Sequence, residues 1–201
     1  MLLLLVFAGS SAQTEATFQQ GNVSIHYYTF GKGKPLLIIN GGPGMNCNGF
    51  ADLAKSLAVN NQTIIYDQRG TGKSVIPVID SSTITMDAMI DDIETLRIHL
   101  GIEKWIVLGH SFGGMLASYY ATIHPENIEG LILSSSGGID LDLVSYVQQT
   151  INARLTNEEQ KEVSYWSQQM NNGDTSHATR LKRGMALAPA YVINKKYIPV
   201  I

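Results

Sequence analysis

Cysteine occurs once, at Cys47, so no disulfide can form within the chain and cysteine pairing carries no information about redox compartment. With no activating neighbour, Cys47 reads as a small packed residue. Charge is sparse as well: charged residues make up 15% of the chain, the formal net charge is -3, and Lys and Arg gather in no run. Phosphate backbones demand a basic footprint, so nucleic acid is excluded as a partner. Long apolar runs are also missing. The opening stretch, residues 1–8, falls far short of the ~20 apolar residues that a spanning helix needs, and no membrane span is expected. No His, Cys, Asp or Glu cluster has metal-ligand spacing, so neither a metal nor a cofactor is expected. Nothing in the sequence sets how many chains assemble.

What is present is an ordinary globular composition, 44% hydrophobic over 201 residues, enough for one domain and part of another. Residues 1–12 read as a signal peptide: an apolar run ending in Gly9-Ser10-Ser11-Ala12, small residues of the kind a signal peptidase accepts, though without the usual basic start. An exported, periplasmic or secreted protein is the expectation if that segment is cleaved, and a cytoplasmic one otherwise. Residues 16–20 and 22–30 alternate as a two-stranded hairpin turning at Gly21-Asn22.

The pattern then changes. Residues 36–39, 63–66, 105–108 and 130–133 are short, continuously apolar runs, as expected of parallel strands covered on both faces. Helical periodicity fills the gaps, over 50–59, 85–100 and 112–123, with Thr85 as a cap and Gly101 as a stop. Strand then helix, repeated, predicts an α/β fold with a mostly parallel sheet. From about residue 140 the strands give way to polar helical stretches over 141–155, 157–170 and 175–187. The predicted organisation is a signal segment 1–12, a sheet-bearing core 13–138 and a helical appendage 139–201.

Gly109-His110-Ser111-Phe112-Gly113 follows one apolar strand directly and opens a helix, the context in which G-x-S-x-G has chemical meaning. A strand-to-helix turn this tight leaves no room for side chains on either side of the serine, which accounts for Gly109 and Gly113. It lifts the Ser111 hydroxyl to a helix N-terminus, whose free N–H groups favour a developing oxyanion. Asn40-Gly41-Gly42-Pro43-Gly44 follows the first parallel strand, where the α/β-hydrolase fold supplies its second oxyanion donor. The expected backbone donors are Phe112 and Gly42, with Gly41, Pro43 and Gly44 shaping the loop. Gly70-Thr71-Gly72-Lys73-Ser74 suggests the end of a phosphate-binding loop, but the required first glycine falls on Asp67, so that reading fails.

These motifs, with Asp67-Gln68-Arg69-Gly70-Thr71-Gly72-Lys73-Ser74 between them, resemble the proline iminopeptidase branch of the α/β-hydrolase superfamily over residues 27–138. The resemblance implies an eight-stranded sheet with a helical cap inserted after the sixth strand, and release of an N-terminal residue from a short peptide through an acyl-enzyme. It also implies that Asp67 and Arg69 are scaffold for their loop. The chain departs from the family at Asn40, where the motif has His, and at His110 and Phe112, where Gly and Trp are typical. An esterase on the same fold, or a non-catalytic binding protein, are the alternatives.

A serine needs a histidine to take its proton, in the chain order Ser, acid, His. His124 lies some three turns from the active end of its helix, and His110 adjoins the serine in a turn that points neighbours apart. His177 satisfies the order, with Asp140 or Asp142 as the acid, but sits in a polar segment and reads as a surface residue, while His26 and His99 read as solvated or packing residues. The expectation is an incomplete chain without the last strands, acid and base. Glu158, Glu159 and Glu162 are candidates for holding a substrate's free amino group.

Overall fold

A computed structural model describes residues 13–138 and 142–197. The segment read as a signal peptide lies outside them, as does Asp140. The chain divides into two compact units, Met1–Ile139 and Asp140–Ile201.

The first unit is built on one six-stranded sheet: β1 (Thr14–Gln20), β2 (Val23–Phe30), β3 (Lys34–Ile39), β4 (Asn61–Tyr66), β5 (Trp105–His110) and β6 (Ile128–Ser134). The strand order is β1-β2-β4-β3-β5-β6. β1 and β2 form the antiparallel hairpin, closed through Gly21 and Asn22, and β2 runs antiparallel to β4. β4, β3, β5 and β6 are mutually parallel. The strands extend one to three residues beyond the apolar runs, because ladder hydrogen bonds continue after burial ends.

Alternation along the strands sorts their side chains into two cores. Leu37, Ile39, Ile64, Tyr66, Trp105 and Val107 face a cluster shared with α2 (Met86–His99) and α3 (Phe112–Ile123), to which the helices bring Met89, Ile90, Ile93, Leu96, Leu116, Ala117 and Tyr120. Leu36, Ile38 and Ile65 face the opposite cluster, with Ala54 of α1 (Ala51–Leu57) and with Cys47 and Phe50. Both faces of the central strands are dry, which is why their sequences run apolar without alternation. A 3-10 turn, Cys47–Phe50, precedes α1, so the helix predicted over 50–59 starts one residue later and ends two residues sooner. α2 begins on its predicted cap: the Thr85 hydroxyl accepts the N–H of Ala88 at 3.1 Å.

One topological feature positions the site. From β3 the chain moves outward to β4, then crosses back to place β5 on the other side of β3. Loops leaving β3 and β5 therefore depart in opposite directions along the sheet, opening a crevice at the carboxyl ends of the strands where ligands of α/β sheets bind.

The second unit consists of α4 (Asp142–Arg154), α5 (Asn157–Asn171) and α6 (His177–Tyr191), followed by a 3-10 turn, Lys195–Tyr197. α5 opens with a capping box: Thr156 accepts from the N–H of Glu159, whose carboxylate accepts from the N–H of Thr156 at 2.8 Å. α6 runs four residues past the predicted end and carries Pro189 within it. No helix among the described residues is long and apolar enough to cross a membrane.

Candidate active site

Ser111 stands between the last residue of β5 and the first of α3. Its backbone adopts φ 53, ψ -120. Positive φ in a residue with a Cβ costs on the order of 1–3 kcal/mol and persists only where surrounding structure imposes it. The imposing contacts are identifiable: the Ser111 N–H donates to the Ser134 carbonyl at 3.0 Å, and the Ser111 carbonyl accepts from Gly114 at 2.9 Å and Gly137 at 3.2 Å. The bend is thus gripped by its own helix and by the end of β6. Its side chain is not sunk into the core, since the residue is half-buried.

The glycines around the serine meet backbone on nearly every side. A Cβ at Gly113 would stand 2.2 Å from the Ile39 carbonyl oxygen and 2.6 Å from that of Asn40. One at Gly109 would stand 2.3 Å from the Gly113 oxygen. One at Gly41 would lie 2.7 Å from the Ser111 Cβ. α3 is therefore pressed onto the end of β3, and the loop after β3 touches the serine directly.

That loop turns through Pro43 and Gly44, with the Met45 N–H donating to the Gly42 carbonyl at 3.0 Å. Gly44 takes φ 83, the positive value that the third position of a type II turn requires. Gly42 also has positive φ, at 75, and Met45 packs over it. Among the described residues, neither the Gly42 nor the Phe112 N–H has a hydrogen-bond acceptor.

The histidines separate clearly. His110 Nδ1 lies 3.2 Å from Ser134 Oγ and its ring packs 5.4 Å from Phe50. His124 caps the far end of α3 beside Tyr120 and Glu126. His177 is the exposed first residue of α6, in the second unit. His99 stacks on Phe18, and His26 is buried between two carboxylates, Glu15 at 2.9 Å and Asp67 at 3.2 Å. Glu159, one of the three carboxylates considered for a substrate amine, closes the α5 capping box and pairs with Lys195 at 2.8 Å.

The bracing role of two sets of residues escaped the sequence reading. The run Ser134-Ser135-Ser136-Gly137 leaves β6 and braces the elbow: beyond the two backbone bonds above, Ser136 packs on Gly114, and Ser135 has φ 46. The visible signal was a run of small residues straight after a strand. The second set, Asn40 and Gln68, is buried at 1% exposure each and bonds the β3 loop from inside, through contacts between residues 28 apart that no local pattern announces. Cys47 lies beneath the same loop, and burial together with the nearby Asp67 carboxylate pushes its thiol well above the usual thiol range. Among the described residues, no group of three or more His, Cys, Asp or Glu side chains could hold a metal ion.

A sequence profile described as the alpha/beta hydrolase fold matches residues 34–188. The chain is 41% identical over 116 residues to a proline iminopeptidase of Lactobacillus acidophilus, an alignment covering 55% of this chain and 40% of the relative. A proline iminopeptidase of Xylella fastidiosa is 41% identical over 105 residues, covering 50% and 32%. Matches to these curated relatives thus span well under half of their length. Among solved structures, the proline iminopeptidase of Mycobacterium smegmatis superposes with a TM-score of 0.70 at 24% identity, covering 93% of this chain and 63% of that one. The profile match, the strand order and the elbow after β5 agree: the chain belongs to the α/β-hydrolase fold family, and over about half of its length it is similar to proline iminopeptidases.

Proposed function

We propose that Ser111 is the nucleophile of a serine hydrolase, and that the substrate is a short peptide or related small molecule from which an N-terminal residue is released. The observation that carries this reading is the strained backbone of Ser111, φ 53 in a residue with a Cβ, gripped by β6 and α3 at the mouth of the sheet. A serine held in this way presents its hydroxyl to a carbonyl carbon while the helix N-terminus lies beneath the oxygen that becomes negative.

Attack by Ser111 Oγ forms a C–O bond and a tetrahedral oxyanion, and the hydroxyl proton passes to a base. The Phe112 and Gly42 N–H groups donate to the oxyanion. Collapse breaks the bond to the leaving amine, which departs with that proton, and water repeats the cycle on the acyl-enzyme. We assign the base and its carboxylate partner to sequence outside residues 13–138, since His110 and His124 are engaged elsewhere. Aminopeptidase specificity rests on the similarity to proline iminopeptidase relatives.

The test is fluorophosphonate labelling followed by intact mass, with Ser111→Ala as the control, alongside release of p-nitroaniline from proline p-nitroanilide and of p-nitrophenol from simple esters. Label confined to Ser111 and faster turnover of the anilide support the proposal. Equal labelling of the wild type and Ser111→Ala overturns the nucleophile assignment, and ester turnover without anilide turnover overturns the aminopeptidase assignment alone. Substituting His177 by Ala tests whether the base lies in the second unit.

A further inference from the structure

Two adjacent buried side chains at the exit of β4 tie down both ends of the loop that follows β3. Gln68 Nε2 donates to the Asn40 carbonyl at 2.9 Å, where the loop begins. Asp67 Oδ1 accepts the Cys47 N–H at 2.9 Å, where the loop ends. Between these points Asn40 Nδ2 donates to the carbonyls of Gly41 and Met45, both at 3.1 Å. The Asp67 carboxylate has its own fixed seat. Its Oδ2 accepts the Lys73 N–H at 2.9 Å and faces His26 Nδ1 at 3.2 Å. Gly72, at φ 52, comes so close that a Cβ there would stand 2.2 Å from the same oxygen. Asp67 and Gln68 are 3% and 1% exposed, so water does not compete for these bonds.

We infer that Asp67 and Gln68 are the positioning residues of the oxyanion site, setting the place and direction of the Gly42 N–H from across the sheet. This inference rests on the assignment of Ser111 and Gly42 made above. A loop with glycines at 41, 42 and 44 has wide backbone freedom and would not hold an amide in one direction unaided. Oxyanion donors are effective only when preorganised, because reorientation during the reaction would consume the stabilisation they provide. Two anchors, one of them a carboxylate that three chain segments surround, supply that preorganisation. Neither side chain touches the substrate, and both act through the loop backbone.

The experiment measures phosphonylation of Ser111 by a fluorophosphonate in the full chain at alkaline pH, where hydroxide assists a slow nucleophile, resolving kinact from the apparent probe affinity. Asp67→Asn keeps the size but sets an amide N–H against a backbone N–H. Gln68→Leu removes the donor to Asn40. Displacing a catalytic group by about 1 Å costs about 10²-fold in rate, so a fall in kinact of about ten- to a hundredfold is expected in each variant, with unchanged probe affinity and a cooperative melt. Thr63→Val serves as the control for instability: it removes a buried bond to the Ala54 carbonyl, 2.9 Å, remote from the loop. It is expected to melt earlier and label within about twofold of wild type.

Wild-type rates in the folded variants overturn the inference and leave the nucleophile assignment standing. Absence of Ser111-specific label in the wild type overturns both together. Equal slowing in Thr63→Val also overturns the inference, by reducing the effect to general stability. If Asp67→Asn fails to fold, Gln68→Leu decides alone.

Discussion

Replacing Gly113 by Ala sets two effects of opposite sign against each other within one helix. Alanine is the better helix former by about 1 kcal/mol, and Gly113 is the second residue of α3, so local propensity favours the change. Packing opposes it. The new methyl would stand 2.2 Å from the Ile39 carbonyl oxygen, 2.6 Å from the Asn40 oxygen and 2.7 Å from the Ile39 carbonyl carbon. These are backbone atoms of β3 and its exit, which sits in the middle of the sheet between β4 and β5 and cannot swing aside as a side chain does. Overpacking of this kind costs about 1–3 kcal/mol and more where backbone must move. Taking about 3 kcal/mol for the clash, the net loss is about 2 kcal/mol, or about thirtyfold in the folding equilibrium. Gly184 offers the counterpart, a glycine inside α6 whose added Cβ meets nothing within 4 Å. There the propensity term acts alone and Gly184→Ala is expected to stabilise by up to about 1 kcal/mol. Urea titration monitored by circular dichroism measures both variants. A Gly113→Ala chain as stable as the wild type would refute the reasoning, because it would mean that α3 is not pressed onto β3 and that the elbow is looser than its glycines imply.

Two further expectations concern buried groups. The Tyr66 hydroxyl is buried without a partner among the described residues, whereas the Tyr120 hydroxyl donates to Glu94 at 2.7 Å. Tyr66→Phe is therefore expected to be neutral or stabilising by up to about 1 kcal/mol, and Tyr120→Phe to cost about 1.5 kcal/mol; denaturant midpoints with equal destabilisation in both would contradict this. Cys47 is fully buried with its thiol titrating above the ordinary range, so it should resist alkylation in the native protein and react once on unfolding. Because the folded value exceeds the unfolded one, this contribution to stability is fully present below about pH 8.5 and is lost as pH rises further. Iodoacetamide uptake by the native chain at wild-type stability would show that the thiol is reachable.

Much of the core could be read along the chain because its signals are local. A strand buried on both faces must be apolar at every position, so 36–39 and 105–108 declared themselves, and a glycine, a serine and a second glycine between such a strand and a helix can form few other turns. The hairpin, the Thr85 cap and the loop through Pro43 and Gly44 were legible for the same reason, each being a bargain struck among neighbours in sequence. The three helices of the second unit were legible by their period, though the apolar pattern ended α6 at residue 187 and the helix runs on to Tyr191 with Pro189 inside it.

The rest depends on which strands become neighbours, and that is decided by packing over the whole sheet. Only when β5 returns beside β3 does Gly41 meet Ser111 and Gly113 meet the carbonyls of β3. Only with β6 next to β5 does the Ser134 carbonyl receive the Ser111 N–H. Asp67 and Gln68 reach Cys47 and Asn40 across 20 and 28 residues because β4 lies on the other side of β3. Sequence alone therefore specified the bend that carries the hydroxyl, through backbone sterics within a few residues. Tertiary structure decided what holds that bend and its facing loop in place, since buried polar groups bond to whatever partners the sheet brings within 3 Å, however distant along the chain.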